Sequence, residues 1–193
     1  MRTFFDFIDR LSASEGAERA ALEAEIWERF GVERTLLALD MSQFSLSVRR
    51  SGILPYLALI RRMHLLTRPI VESNGGAVVK YEADNMLATF HAPVDAVRAA
   101  LDINRAIAGG GEKFTVAIGI DHGRFIVIDD ADCWGDTVNV ACKLGEDVAR
   151  AGEVLLTDAA AKALGDAFAL REQRVSVSGI EIHVHAVDLS SGR

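Results

Sequence analysis

The stretch from Val78 to Phe90, Val-Val-Lys-Tyr-Glu-Ala-Asp-Asn-Met-Leu-Ala-Thr-Phe, admits few folds. An apolar run enters a tight polar turn, Ala83-Asp84-Asn85, and an alternating strand leaves it, which is the pattern of a β-hairpin. Asp84 then sits at the tip, with an unpaired carboxylate available to a ligand. Upstream, Leu36-Leu37-Ala38-Leu39-Asp40 is a short apolar run that also ends in a carboxylate. If the two strands are neighbours in one sheet, Asp40 and Asp84 point into one crevice. Two such carboxylates can clamp a divalent cation.

Composition narrows the function classes. The chain has 193 residues, half of them hydrophobic, enough for one domain with an ample core plus an appendage. A formal net charge of −7 argues against a basic nucleic-acid-binding surface. An acidic chain can still take a nucleotide if metal ions bring the positive charge. The N-terminus has no apolar core of signal-peptide type and no run reaches membrane-spanning length, so no membrane association is expected. Cys133 and Cys142 match neither a disulfide framework nor a zinc spacing and read as reduced thiols, pointing to a cytoplasmic protein.

Residues 1–33 read as a helical appendage. Phe4, Ile8 and Leu11 recur at helical spacing, as do Leu22, Ile26 and Phe30 with Trp27 alongside, and Ser14 is the expected N-cap of the second helix. These helices either pad their own domain or serve as a dimerising or signal-coupling element. The remainder, 34–193, reads as one domain. A strand over Arg34–Asp40 precedes a helical region from about Gln43 to Ser73, divided by Gly52 and Pro55. Leu57, Ile60, Leu65 and Val71 supply its apolar face, and Arg49, Arg50, Arg61, Arg62 and Arg68 a solvated one. Asn74-Gly75-Gly76 ends it.

A helix from about Pro93 to Ala108 follows the hairpin. Phe114–Gly123 is then a strand and turn, with Arg124–Ile128 as hairpin partner and an acidic loop from Asp129 to Asp132. Gly135-Asp136 opens a helix on which Asn139 and Lys143 are four apart and share a face. Glu153–Leu156 is a strand, Asp158–Leu164 a short helix, and Ala167–Asp188 a last hairpin turning at Ser178-Gly179. His183 and His185 alternate on one strand face, exposed on an edge. The order is the βαββαβ pattern of an α+β, ferredoxin-like core with an antiparallel sheet and an extra C-terminal hairpin.

Three motifs now carry a resemblance. Asp132-Cys133-Trp134-Gly135-Asp136-Thr137-Val138-Asn139-Val140-Ala141 resembles the D-x-[WF]-G-x-x-V-N-x-A signature of class III nucleotidyl cyclases, the adenylate and guanylate cyclases. Asp40-Met41-Ser42-Gln43-Phe44-Ser45 is similar to that family's first metal motif, with Gln43 where Gly is usual. Lys80 to Asp84 resembles its K-x-x-G-D element, with Ala83 in place of Gly. Lys143-Leu144-Gly145-Glu146-Asp147 looks like a bacterial branch. The hairpin lacks the GG[DE]EF of diguanylate cyclases.

The resemblance implies an activity and a set of roles. ATP would be cyclised to cyclic AMP and pyrophosphate with two Mg²⁺ or Mn²⁺ ions on Asp40 and Asp84. Phe44 falls among the substrate-binding positions, Asn139 would orient the ribose, and Lys143 stands at the transition-state cation. Lys80 and Asp132 match the base-reading positions. A lysine donor beside a carboxylate acceptor suits adenine, which offers an acceptor at N1 and a donor at its 6-amino group. The site would be shared across a homodimer. Three departures point the other way: Ala117 and Ser178 stand near positions that often carry phosphate-binding Arg and Lys, and Lys143 replaces an Arg, losing its bidentate fork. Arg124 is a candidate to compensate. A degenerate module that binds nucleotide or a partner without turnover is therefore the alternative.

Overall fold

The computed structural model describes residues 3–42, 52–129, 131–177 and 180–188. Two helices, α1 (Phe4–Ser12) and α2 (Gly16–Phe30), lead directly into β1 (Gly31–Met41). There follow α3 (Ile53–Ser73), β2 (Ala77–Glu82), β3 (Asn85–Phe90), α4 (Pro93–Gly109) and β4 (Val116–Ile128). The chain continues through β5 (Asp132–Trp134), α5 (Asp136–Lys143), β6 (Val154–Thr157), α6 (Asp158–Leu164), β7 (Leu170–Val177) and β8 (Ile180–Val187).

One eight-stranded sheet runs in the order β2-β3-β1-β4-β6-β8-β7, with β5 paired to the far end of β4. Only the β4–β6 pairing is parallel among the described strands. The expected βαββαβ core is its first half. Strand β1 is central, and its apolar stretch over residues 36–39 is buried because both its faces are covered there. Leu37 and Leu39 pack beneath α3 and α4 with Met63, Val97 and Ile118. Leu36 and Ala38 face the opposite layer with Phe125 of β4 and with Val138 and Ala141 of α5. This strict alternation fixes the register, since a slip of one residue would turn every side chain to the wrong face.

The appendage buries its apolar stripe on its own domain. Phe7, Leu22 and Ile26 close over Ile126 and Ile128 of β4. Helix α1 starts with a capping box between Thr3 and Asp6. Ser14 is not the cap of α2: Glu15 holds that position without a side-chain bond, and the Ser14 hydroxyl donates to the Leu11 carbonyl instead.

Three further expectations are corrected. Residues 116–128 form one continuous strand, so Gly123 makes no turn, and the hairpin partner of its end is β5. Gly123 is needed for a different reason: a Cβ there would lie 2.7 Å from the Thr137 hydroxyl. On α3 the inward face is Tyr56, Ile60, Met63, Thr67 and Val71, while Leu57 and Leu65 are exposed. Thr67 is tolerated inside because its hydroxyl donates to the Met63 carbonyl and meets the Tyr81 hydroxyl at 2.9 Å. His183 and His185 lie on β8, an interior strand, against Glu172 at 3.0 Å and Asp158 at 2.7 Å. Residues 43–51, with Gln43, Phe44, Arg49 and Arg50, and residues 178–179, where a turn with Ser178 is expected, lie outside the described residues.

Candidate active site

Asp40 and Asp84 come together at the end of the sheet where β1 meets the β2–β3 hairpin. In register, Asp40 stands opposite Asn85 on β3 and Ala117 on β4. The Met41 N–H donates to the Asp84 carbonyl at 3.3 Å, tying strand end to hairpin tip. Burial, then the charges of Asp84, Glu146 and Asp147, push the Asp40 carboxyl up to about 7. No lysine or arginine among the described residues forms an ion pair with either Asp40 or Asp84. A half-buried carboxylate crowded by like charge and lacking a cation has a donor set suited to a hard divalent ion. With two carboxylates the site falls short of an all-protein cage, and no group of three potential ligands occurs among the described residues. Mg²⁺ commonly uses one or two carboxylates and completes its shell with phosphate and water.

The Asp84 carboxylate is not unpaired as the sequence suggested. The hydroxyl of buried Tyr56 donates to its Oδ2 at 3.1 Å. Ala83 adopts φ +50°, the left-handed conformation the tight turn demands and for which glycine is the unstrained choice.

A second cluster lies alongside. Lys80 Nζ is 2.9 Å from Asp132 Oδ1 and 3.4 Å from Glu82 Oε2. The Asp132 hydrogen bond holds the Lys80 ammonium above its ordinary value. Burial alone would raise the Asp132 carboxyl, but hydrogen bonds from Lys80, the Cys133 N–H and the Trp134 indole hold it below. These two residues, with Asn139, Trp134, Asn85 and Glu146, line a cavity of about 270 Å³. Neither Asp40 nor Asp84 lines it, and nor does Lys143. Lys143 is exposed at the end of α5, paired with Asp147 at 2.7 Å. Arg124 is engaged elsewhere, its guanidinium 4.3 Å from the centre of the Trp27 indole ring. Ala117 is buried within the sheet.

Close backbone packing sets the position of α5. A Cβ on Gly119 would lie 2.2 Å from the Ala141 carbonyl and 2.6 Å from the Gly145 amide. The chain then makes a π-helical turn over Leu144–Val148. That turn brings Glu146 to Asn85, whose amide donates to it at 3.2 Å. Both thiols are pushed up to about 11 by burial and remain neutral, giving no nucleophile.

The sequence reading missed Tyr56, Asn85, Trp134 and Glu146. Trp134 and Glu146 fall inside quoted motifs and Asn85 inside the quoted turn, and all three could have been found there. No linear signal joins Tyr56 to Asp84, and the π turn that aims Glu146 has no sequence signature.

Comparison with known proteins agrees with this architecture. The model of the adenylate and guanylate cyclase catalytic domain matches residues 35–188, and the chain belongs to that family. A Rhizobium meliloti (strain 1021) protein named "Putative adenylate cyclase 3" is 29% identical over 129 residues, which are 64% of this chain and 22% of the relative. The chain thus spans about a fifth of that relative's length. Among solved structures, the adenylate/guanylate cyclase/hydrolase of Silicibacter pomeroyi is 28% identical with a TM-score of 0.67, covering 81% of this chain and 96% of that one. The catalytic core of a rhodopsin-guanylyl cyclase with converted specificity, in complex with ATPalphaS, shares the fold at 23% identity and a TM-score of 0.73, over 82% of this chain and 98% of that one. Among the described residues no helix is long and apolar enough to cross a membrane.

Proposed function

We propose that this chain is an adenylate cyclase, converting ATP to cyclic AMP and pyrophosphate. The observation that carries the choice of base is the Lys80–Asp132 pair, 2.9 Å apart in a cavity that also holds Asn139. Lys80 donates to adenine N1 and Asp132 accepts from the 6-amino group. Guanine would present an N–H to the ammonium and a carbonyl to the carboxylate, leaving both protein groups mispaired, which is strongly discriminating in a dehydrated site. Asn139 orients the ribose from α5.

In the reaction the ribose 3′-oxygen bonds to the α-phosphorus, the bond from that phosphorus to the pyrophosphate oxygen breaks, and the 3′-hydroxyl proton is released. Asp40 and Asp84 would hold two divalent ions, Mg²⁺ or Mn²⁺, which would supply charge stabilisation for the attacking and leaving oxygens. Two protomers share each site in a homodimer: Asp40 and Asp84 come from one, and Lys80, Asp132, Asn139 and Lys143 from the other.

A second reading is favoured by one observation. Ala117 is apolar and buried, so this position supplies no phosphate cation, which suits a module that binds nucleotide without turnover. Incubating the purified protein separately with ATP and GTP in Mn²⁺ separates the readings. Cyclic AMP formation that ceases in Asp40→Ala is the expected result. Nucleotide binding with no cyclic product under Mg²⁺ or Mn²⁺ would establish the module reading.

A further inference from the structure

The hairpin tip is held from one helix. Along the inner face of α3, Tyr56 reaches Asp84, and Thr67 meets the Tyr81 hydroxyl at 2.9 Å. The Tyr81 hydroxyl donates to the His64 carbonyl at 3.2 Å, and the His64 ring stacks on that of Tyr81 with centroids 3.8 Å apart. Tyr56 is only 3% exposed, and its ring sits in the main core with Leu39, Met41 and Met86. Its hydroxyl is therefore fixed in space, and a buried phenol must find a partner. Oδ2 of the Asp84 carboxylate is a partner it finds. Asp84 follows Ala83, whose left-handed backbone lacks the glycine that would make such a turn unstrained. A tip of that kind needs outside support to keep one geometry.

We propose that Tyr56 is a positioning residue for Asp84, occupying Oδ2 so that Oδ1 is presented in one orientation as a cation ligand. The inference rests on the reading of Asp84 as a metal ligand. Outer partners of a ligating carboxylate fix its direction and raise metal affinity by about 10–100-fold. A phenol hydroxyl also adds no positive charge beside the carboxylate, where a lysine would have competed with the cation.

The test is Mn²⁺ binding, read as the free-ion electron paramagnetic resonance signal, with 3′-deoxy-ATP present as a nucleotide that cannot cyclise. Wild type, Tyr56→Phe, Asp84→Asn and the double variant are titrated, and metal-free melting temperatures are recorded in parallel. Tyr56→Phe removes one oxygen and keeps the ring. It is expected to weaken Mn²⁺ binding about tenfold while melting near wild type. Because Tyr56 acts through Asp84, the double variant should bind no more weakly than Asp84→Asn alone. Wild-type Mn²⁺ affinity in Tyr56→Phe, or an undiminished loss from it in the Asp84→Asn background, overturns the role of Tyr56. Wild-type affinity in Asp84→Asn overturns the ligand reading instead.

Discussion

The ammonium of Lys80 and Oδ1 of Asp132 stand 2.9 Å apart, joining the hairpin strand β2 to β5 at the mouth of one cavity. The Trp134 indole fills Oδ2 of the same carboxylate at 3.1 Å, so this acceptor is held from both sides. Under the function proposed above, a pair arranged in this way would read donors and acceptors on a base edge rather than only neutralise charge.

Exchanging that chemistry should exchange the base. Lys80→Glu combined with Asp132→Cys is expected to lower the ratio of kcat/KM for ATP over GTP by about 100-fold, because each reversed partner costs on the order of 1–3 kcal/mol. Steady-state rates with both nucleotides measure it, and an unchanged ratio would remove both residues from base selection.

Asp40 should weaken the metal-free fold as it ionises. Its folded value is about 7 against an ordinary 3.8, so the unfolded chain loses the proton first and folding is progressively opposed between those values. Above the upper value the cost is complete, about 1–2 kcal/mol after solvent screening. Asp40→Asn should thus raise the melting temperature of the metal-free protein at about pH 8, with the gain vanishing as the pH falls toward 3.8. Melts across that range in a chelator check the sign.

Gly119 should not accept a side chain. An added Cβ would meet backbone atoms of Ala141 and Gly145 at 2.2 and 2.6 Å, and backbone cannot swing aside as a side chain does. Gly119→Ala is expected to cost about 1–3 kcal/mol in urea unfolding and to reduce turnover by displacing Asn139 on α5.

The N-terminal helices should unfold with the rest. Phe7 is fully buried between α1, α2 and the end of β4. Phe7→Ala is expected to destabilise the whole domain by about 3–5 kcal/mol in a single transition. A separate early transition would mean that residues 1–33 fold on their own.

Much of this arrangement is legible in the linear chain, and the misreadings share a physical cause. Asp40 and Asp84 could be placed together because an apolar strand and a hairpin turn are local signals. Lys80, Asp132 and Asn139 could be grouped through their motifs. Where a polar group is satisfied by a distant element, the pattern misleads. Thr67 is buried because Tyr81 meets its hydroxyl, which rotates the apparent face of α3 and leaves Leu57 and Leu65 outside. Gly123 reads as a turn but serves the approach of Thr137 to a straight strand. The Tyr56–Asp84 bond spans 28 residues and follows from tertiary packing alone.

The most direct measurement mixes two disabled proteins. Asp40→Ala with Asp84→Ala removes the metal-binding half, and Lys80→Ala with Asp132→Ala removes the base-reading half. Each alone should make no cyclic AMP. After unfolding and refolding together in equal amounts, half the dimers are mixed and each restores one site of two, so about a quarter of wild-type activity should return. Activity of the mixture no greater than the sum of its inactive parents would contradict a site built from two protomers.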